Sequence, residues 1–195
     1  MLRTFLLILS LVFVCHQASA QNRTDSEFST EQIFSVATGD WNNDETPDAA
    51  MIMVTNEHQF DLLIYQSDKQ QRLKLHSHMP DFVWGSDVMY GQEPSVIALK
   101  NGSINVTSQN SAIGRNRWEQ NLTIAYRGGE FLVAGFSYSY YDTLDVEANG
   151  GCDLNLLTGR GTVDDLPIKL TIPAPTVKDF AKFNDILIET CLKTE

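Results

Sequence analysis

Along most of the chain, hydrophobic and polar positions alternate in short runs, the period-two pattern of strands with one buried face. Ile33 to Ala37 and Ala49 to Val54 are two such runs, and residues 60–65 (FDLLIY) give a third of strand-like composition. Ser95 to Lys100 and Ser103 to Ser108 flank Asn101-Gly102, a pair that tolerates positive φ and so predicts a type I′ hairpin. Trp118 to Arg127 and Glu130 to Tyr140 meet in the same way through Gly128-Gly129, and Leu154 to Arg160 and Leu166 to Ile172 predict a further pair around residues 161–165 (GTVDD). From Leu132 to Tyr140 the even positions are all apolar or aromatic, so the face carrying Phe136, Tyr138 and Tyr140 is expected to be buried; exposed, it would suit sugar rings or a partner.

Pro173 and Pro175 end the strand pattern. Residues 176–179 (TVKD) then read as a capping box with Asp in place of the usual Glu, opening a helix over about 176–191. Val177, Phe180, Phe183, Leu187, Ile188 and Cys191 recur at helical spacing, so their shared face should pack on a sheet. The expected fold is mainly β: eight to ten strands in antiparallel sheets, a propeller-like or sandwich-like meander, with one C-terminal α-helix. Residues 31–195 form a single domain in this reading, long enough for a sizeable core.

The first 20 residues break the pattern. Arg3 followed by the apolar run Phe5 to Val14 and the small residues 18–20 (ASA) predicts a cleaved secretory signal, with 21–30 a flexible mature N-terminus. Cleavage at Cys15 as a lipoprotein is disfavoured by the branched Val14 before it. No later segment approaches the roughly 18 apolar residues of a membrane helix, so no membrane association is expected once the signal is removed. The net charge of −11 argues against nucleic acid, which requires clustered Lys and Arg. Loss of Cys15 leaves Cys152 and Cys191, whose bond is the one intramolecular disulfide available in an oxidising compartment. It would close a loop of about 40 residues and contribute about 3–4 kcal/mol.

Candidate chemistry concentrates in residues 40–48 (DWNNDETPD), where an oxygen-bearing side chain stands at every second position. Ca²⁺ takes about six to eight oxygen ligands, and a tight loop can turn alternate residues toward one point. Asp40, Asn42, Asp44 and Asp48 would supply side-chain oxygens and Thr46 its carbonyl. An EF-hand is excluded by Met51 at loop position 12 and by strand-like flanks. The plainer alternative is an Asx-rich turn whose side chains accept from nearby backbone N–H groups.

Residues 39–53 resemble the calcium loop of FG-GAP and VCBS-type repeats, which follow the pattern G-D-x-N-x-D-G-x-x-D between two strands. The resemblance implies the same ligand set, Asp40, Asn42, Asp44, Thr46 and Asp48, for a structural Ca²⁺. Two departures stand out: Glu45 occupies the sixth position, where the family has Gly at a sharp turn, and only one copy of the motif is present. Residues 118–136 and 152–159 resemble a set of exported proteins of Gram-negative bacteria, which implies a periplasmic location.

His76 and His78, with His58 as a third nitrogen, have the types for a transition-metal site but not a full ligand set. There is no G-x-S-x-G elbow, and no pair among Asp142, Asp145, Glu147, Asp164 and Asp165 is marked out for acid catalysis. Sequons occur at Asn22, Asn101, Asn105 and Asn121. The expectation is a periplasmic or secreted, non-enzymatic, calcium-binding β domain with a binding or structural role, taking a protein or glycan partner. The alternatives are a hydrolase of cell-wall or extracellular polymers with structural calcium, and an inhibitor or interaction module for a secreted protein.

Overall fold

A computed structural model describes residues 32–55 and 57–192. The expected signal (1–20), the N-terminal segment 21–30, Cys15 and the Asn22 sequon lie outside the described residues. Two antiparallel meanders make up the fold. β1 (Ile33–Gly39), β2 (Asp48–Val54), β3 (Phe60–Ser67) and β4 (Leu73–Val83) form a four-stranded sheet in chain order. β5 (Ser95–Ala98), β6 (Ile104–Asn110), β7 (Asn116–Arg127), β8 (Glu130–Asp142), β9 (Asn149–Asn155), β10 (Arg160–Val163) and β11 (Leu166–Lys169) form a seven-stranded sheet, also in chain order.

Ile52, Leu62 and Ile64 of the small sheet share one core with Val106, Ile124, Phe136 and Leu154 of the large one. The architecture is therefore sandwich-like, the second of the two meanders expected. β1 and β5 meet where the sheets adjoin: the Ser35 hydroxyl accepts from the Val96 N–H (3.1 Å) and faces the Val96 carbonyl (3.5 Å).

The turns follow local chemistry with two differences from expectation. Gly128 (φ +61°) and Gly129 (φ +92°) make the two-residue turn between β7 and β8. Between β5 and β6, however, only Gly102 has positive φ (+77°), and its N–H donates to the Leu99 carbonyl (3.1 Å). The turn is thus centred on Lys100 and Asn101, with Gly102 as a left-handed residue after it, not a type I′ turn at Asn101-Gly102. Leu154 to Arg160 is not one strand: β9 ends at Asn155, a turn accepts the Gly159 N–H on the Asn155 carbonyl (3.0 Å), and β10 begins at Arg160. Asp164 (φ +47°) and Asp165 (φ +65°) then form the β10–β11 turn.

A bulge decides the fate of the aromatic stripe. Gly135 pairs with Thr123 and Val133 with Ile124, leaving Ala134 as the extra residue of β8. The parity of inward-facing residues flips there. Phe131 and Val133 are buried on one side of the bulge, Phe136 on the other, while Leu132 is only half-buried. A strict even-numbered stripe from Leu132 onward therefore does not exist.

At the C-terminus, the Thr176 side chain accepts from the Asp179 N–H as its sequence predicts. The expected helix is divided into a 3₁₀ segment, Val177–Lys182, and α1 (Asn184–Cys191). Phe183, at φ −116° and ψ −17°, joins them, its N–H donating to the Phe180 carbonyl (2.8 Å). Val177, Phe180, Leu187 and Cys191 are buried and Phe183 and Ile188 pack beside them, so the apolar face forms as its spacing implies. Cys191 reaches disulfide distance of Cys152, with 5.1 Å between their Cα atoms.

Candidate functional site

The acidic loop joins β1 to β2. The Asp40 carboxylate accepts the N–H groups of Asp44 (3.1 Å) and Glu45 (3.0 Å), Asn42 Oδ1 accepts from Asp44 N–H (3.1 Å), and Asp44 Oδ1 accepts from Thr46 N–H (2.9 Å). Four oxygens from three side chains thus converge on one short run of backbone, with Asp44 exposed and Asn42 half-buried. Glu45 has φ +66°, the left-handed geometry that the glycine of the resembled motif would adopt without strain.

Asp48 differs from the others. It is 1% exposed, its Oδ2 accepts from the Trp41 N–H (3.1 Å) and its Oδ1 from the Ser67 N–H (3.0 Å). The Ser67 hydroxyl also donates to the Pro47 carbonyl. Trp41 lies buried beneath the loop, its indole packed closely over Gly39. Asp48 therefore joins the loop to β3. Burial raises its pKa, two N–H donors oppose the rise, and the charges of Asp44 and Asp40 add to it. Asp44 shifts the other way, because the Thr46 hydroxyl and N–H and the Asn42 side chain all bond its ionised form. No group of three His, Cys, Asp or Glu side chains arranged to hold a metal occurs among the described residues, so any cation here would draw on the amide and carbonyl oxygens of Asn42 and Thr46 as well.

The small sheet has a second end. β2 begins at Asp48 opposite Gly39 and finishes at Val54 opposite Phe60, which pairs with Val83 of β4. The chain leaving β4 therefore departs from the end opposite the acidic loop, where His58 of the β2–β3 turn meets Asp87 at 3.0 Å. From there a series of bonds connects three loops. Ser111 N–H donates to the Gly91 carbonyl (2.8 Å), Thr143 N–H to the Arg115 carbonyl (3.0 Å), and Arg115 pairs with Asp142 at 2.5 Å. Val88, Tyr90, Leu144 and Val146 on these loops are between 77% and 82% exposed.

Beside this end opens a cavity of about 470 Å³ between β4, β7, β8 and the C-terminal helical segments. Trp84 and Trp118 lie 4.8 Å apart by ring centroid, Trp118 stacks on Tyr138 at 6.0 Å, and Tyr138 approaches Tyr140 at 6.2 Å. Phe180 closes the inner side against Phe82 (5.7 Å) and Phe136 (6.4 Å). The aromatic face is thus core at Phe136 and groove wall from Tyr138 outward. Burial, with a smaller contribution from Tyr140, raises the Tyr138 pKa, so the phenol is neutral at ordinary pH.

The polar groups of the groove are set by a second bulge. Asp61, 5% exposed, accepts the Asp81 N–H on Oδ1 (2.9 Å) and meets His78 Nε2 with Oδ2 (2.7 Å). This clamps β4 where Asp81 has φ +46° and Pro80 occupies a strand with no partner on its outer edge. His78, Asp81 and Asp185 line the cavity. The three histidines, which have the types but not a full ligand set for a transition metal, are engaged separately: His58 with Asp87, His78 with Asp61, and His76 with Ser77 and edge-on to Phe131 (5.0 Å).

Sequence reasoning located the acidic loop and missed the groove. The signal lay in residues 84–90 (WGSDVMY), where Trp84, Val88, Met89 and Tyr90 interrupt an otherwise turn-like segment. No helix of the described residues is long and apolar enough to cross a membrane. In comparisons with known proteins, no family model matches the chain, nor does any curated protein or any solved structure.

Proposed function

We propose that the chain is an exported, non-enzymatic β domain with a binding role, recognising its ligand at the aromatic groove and braced at the opposite end by Ca²⁺ in the Asp40–Asp48 loop. The observation that carries this reading is the groove: a concave site that sets aromatic walls beside polar side chains such as His78, Asp81, Lys178 and Asp185, next to loops bearing exposed apolar side chains, has the form of a recognition surface. The calcium brace is supported by the grouping of the Asp40, Asn42 and Asp44 oxygens in one short loop and by the negative charge that Asp40 and Asp44 place near Asp48, which a divalent cation would offset. The aligned Cys152 and Cys191 favour an oxidising compartment such as the periplasm.

The test is fluorescence titration of the folded protein with N-phenyl-1-naphthylamine, an uncharged aromatic probe. One saturable site, lost in Trp118→Ala with unfolding behaviour retained, supports the reading; no saturable binding removes it. Hydrolysis of cell-wall or extracellular polymers is the second reading, favoured by His78, Asp81 and Asp185 in the same groove. Release of soluble fragments from peptidoglycan, abolished by Asp81→Asn, would establish it.

A further inference from the structure

Deepening the binding role proposed above, on which this inference rests, we infer that the groove takes a small organic cation, an ammonium group carried on an apolar body, with Trp84, Trp118 and Tyr138 as its aromatic wall and Asp81 and Asp185 as its counter-charges. The rings come from three places in the chain: Trp84 follows β4, Trp118 lies in β7 and Tyr138 in β8, and centroid separations of 4.8 and 6.0 Å join them into one surface. Trp84 is 47% exposed, so that surface is open to an occupant.

The two acids reach the same cavity from different elements, Asp81 from β4 and Asp185 from α1, and both are exposed. Among the described residues the Asp81 carboxylate has no hydrogen-bond or ion-pair partner, and Asp185 accepts only from Asn184 Nδ2, at 3.4 Å. Lys178 is the one Lys or Arg in the lining, and His78 is engaged by Asp61. Carboxylates therefore outnumber fixed cations in the groove wall. An alkylammonium gains from both features: ring faces attract a cation within about 6 Å of their centroids, and the carboxylates add a Coulombic attraction that strengthens where apolar walls displace water. A neutral sugar could bond to the same carboxylates but would leave their charge uncompensated. A metal ion is poorly matched, since indole and phenyl faces are not its ligands and no group of three His, Cys, Asp or Glu side chains able to hold one occurs among the described residues. The cavity of about 470 Å³ sets the occupant's size at that of a small molecule.

The test is displacement of N-phenyl-1-naphthylamine from the disulfide-intact protein, at constant ionic strength, by choline, by its uncharged isostere 3,3-dimethylbutan-1-ol and by cellobiose. Choline is expected to displace the probe at a concentration about tenfold or more below that of the alcohol, the scale of a cation–π contact together with partly exposed counter-charges. Asp81→Asn with Asp185→Asn should bring the two within about twofold while probe binding is retained. Asparagine also accepts the positive φ (+46°) of position 81, so the bulge is kept, and thermal unfolding checks that the variant folds. Equal displacement by choline and the alcohol, displacement by neither, stronger displacement by cellobiose, or a preference that survives the double variant overturns the cation inference and leaves the groove standing. A probe that does not bind at all overturns the groove reading itself.

Discussion

Cys152 stands opposite Tyr138 on the neighbouring strand, and its Cα lies 5.1 Å from that of Cys191 at the end of α1. The same bond that closes the C-terminal segment onto the sheet therefore lies beside Tyr138 on the same face of the sheet, and α1 supplies Asn184, Asp185 and Ile188 to the groove. A separation of 39 residues gives a loop-closure stabilisation of about 3–4 kcal/mol. The Cys152→Ala/Cys191→Ala double variant is expected to lose about that much stability in denaturant unfolding and to weaken probe binding in the groove. Unchanged affinity with lowered stability would mean that the groove holds its shape without the bond.

Glu45 provides a second test. At φ +66° a side chain costs roughly 1–2 kcal/mol that glycine does not incur, partly offset by glycine's greater freedom when unfolded. Glu45→Gly is expected to raise stability by about 1 kcal/mol and to tighten Ca²⁺ binding. A fall in melting temperature would show that the Glu45 side chain contributes more than its backbone costs.

Calcium itself is read by isothermal titration. One site with a dissociation constant of about 10⁻⁶ to 10⁻³ M is expected, with a melting temperature that rises with free Ca²⁺. Asp40→Asn with Asp44→Asn should abolish both effects, since each removes a charge while retaining an acceptor for the loop N–H groups. An absence of heat together with a melting temperature indifferent to Ca²⁺ would reduce the loop to an Asx-rich turn.

Acid should destabilise the fold through three exposed ion pairs. The Asp68 carboxyl is held well below its ordinary value of 3.8 by Arg72, Asp142 is lowered by Arg115, and Asp179 is lowered by Lys182. Because each folded value lies below the unfolded one, the unfolded chain takes up protons first. The stabilisation is thus complete above about pH 4 and is lost as pH falls through the folded values. Asp48 has the opposite sign: its raised value means that acidification through that group favours the folded state. Asp44 is lowered as well, by its bonds to Thr46 and Asn42, so with four lowered groups against one raised, melting temperature should fall from pH 4 toward pH 2, and less steeply in Arg115→Ala. A flat profile would mean that solvent screening removes these contributions.

What was legible in the sequence was local. The Gly128-Gly129 turn, the Thr176 cap and the helical spacing of Leu187 and Cys191 depend on residues close in the chain, and each formed as its chemistry requires. The β8 stripe was misread because a bulge at Ala134 depends on the partner strand, and period-two counting cannot see a partner. β4 carries a weak strand pattern because its inward face, Ser77, Met79 and Val83, includes a polar residue and is put out of step by a bulge that Asp61 fixes from another strand. The groove was invisible for the same reason: Trp84, Trp118, Tyr138 and Phe180 come from four separate segments, and no spacing along the chain connects them.

The two ends of the domain are most directly separated by the indole N–H signals of its three tryptophans in a ¹H–¹⁵N spectrum. Trp41 lies buried under the acidic loop, whereas Trp84 and Trp118 line the groove. Titration with Ca²⁺ should move the Trp41 signal alone, and titration with N-phenyl-1-naphthylamine should move Trp84 and Trp118 and leave Trp41 in place. Signals that ignore both additions, or probe shifts confined to Trp41, would contradict an account in which one end is braced by calcium and the other recognises a ligand.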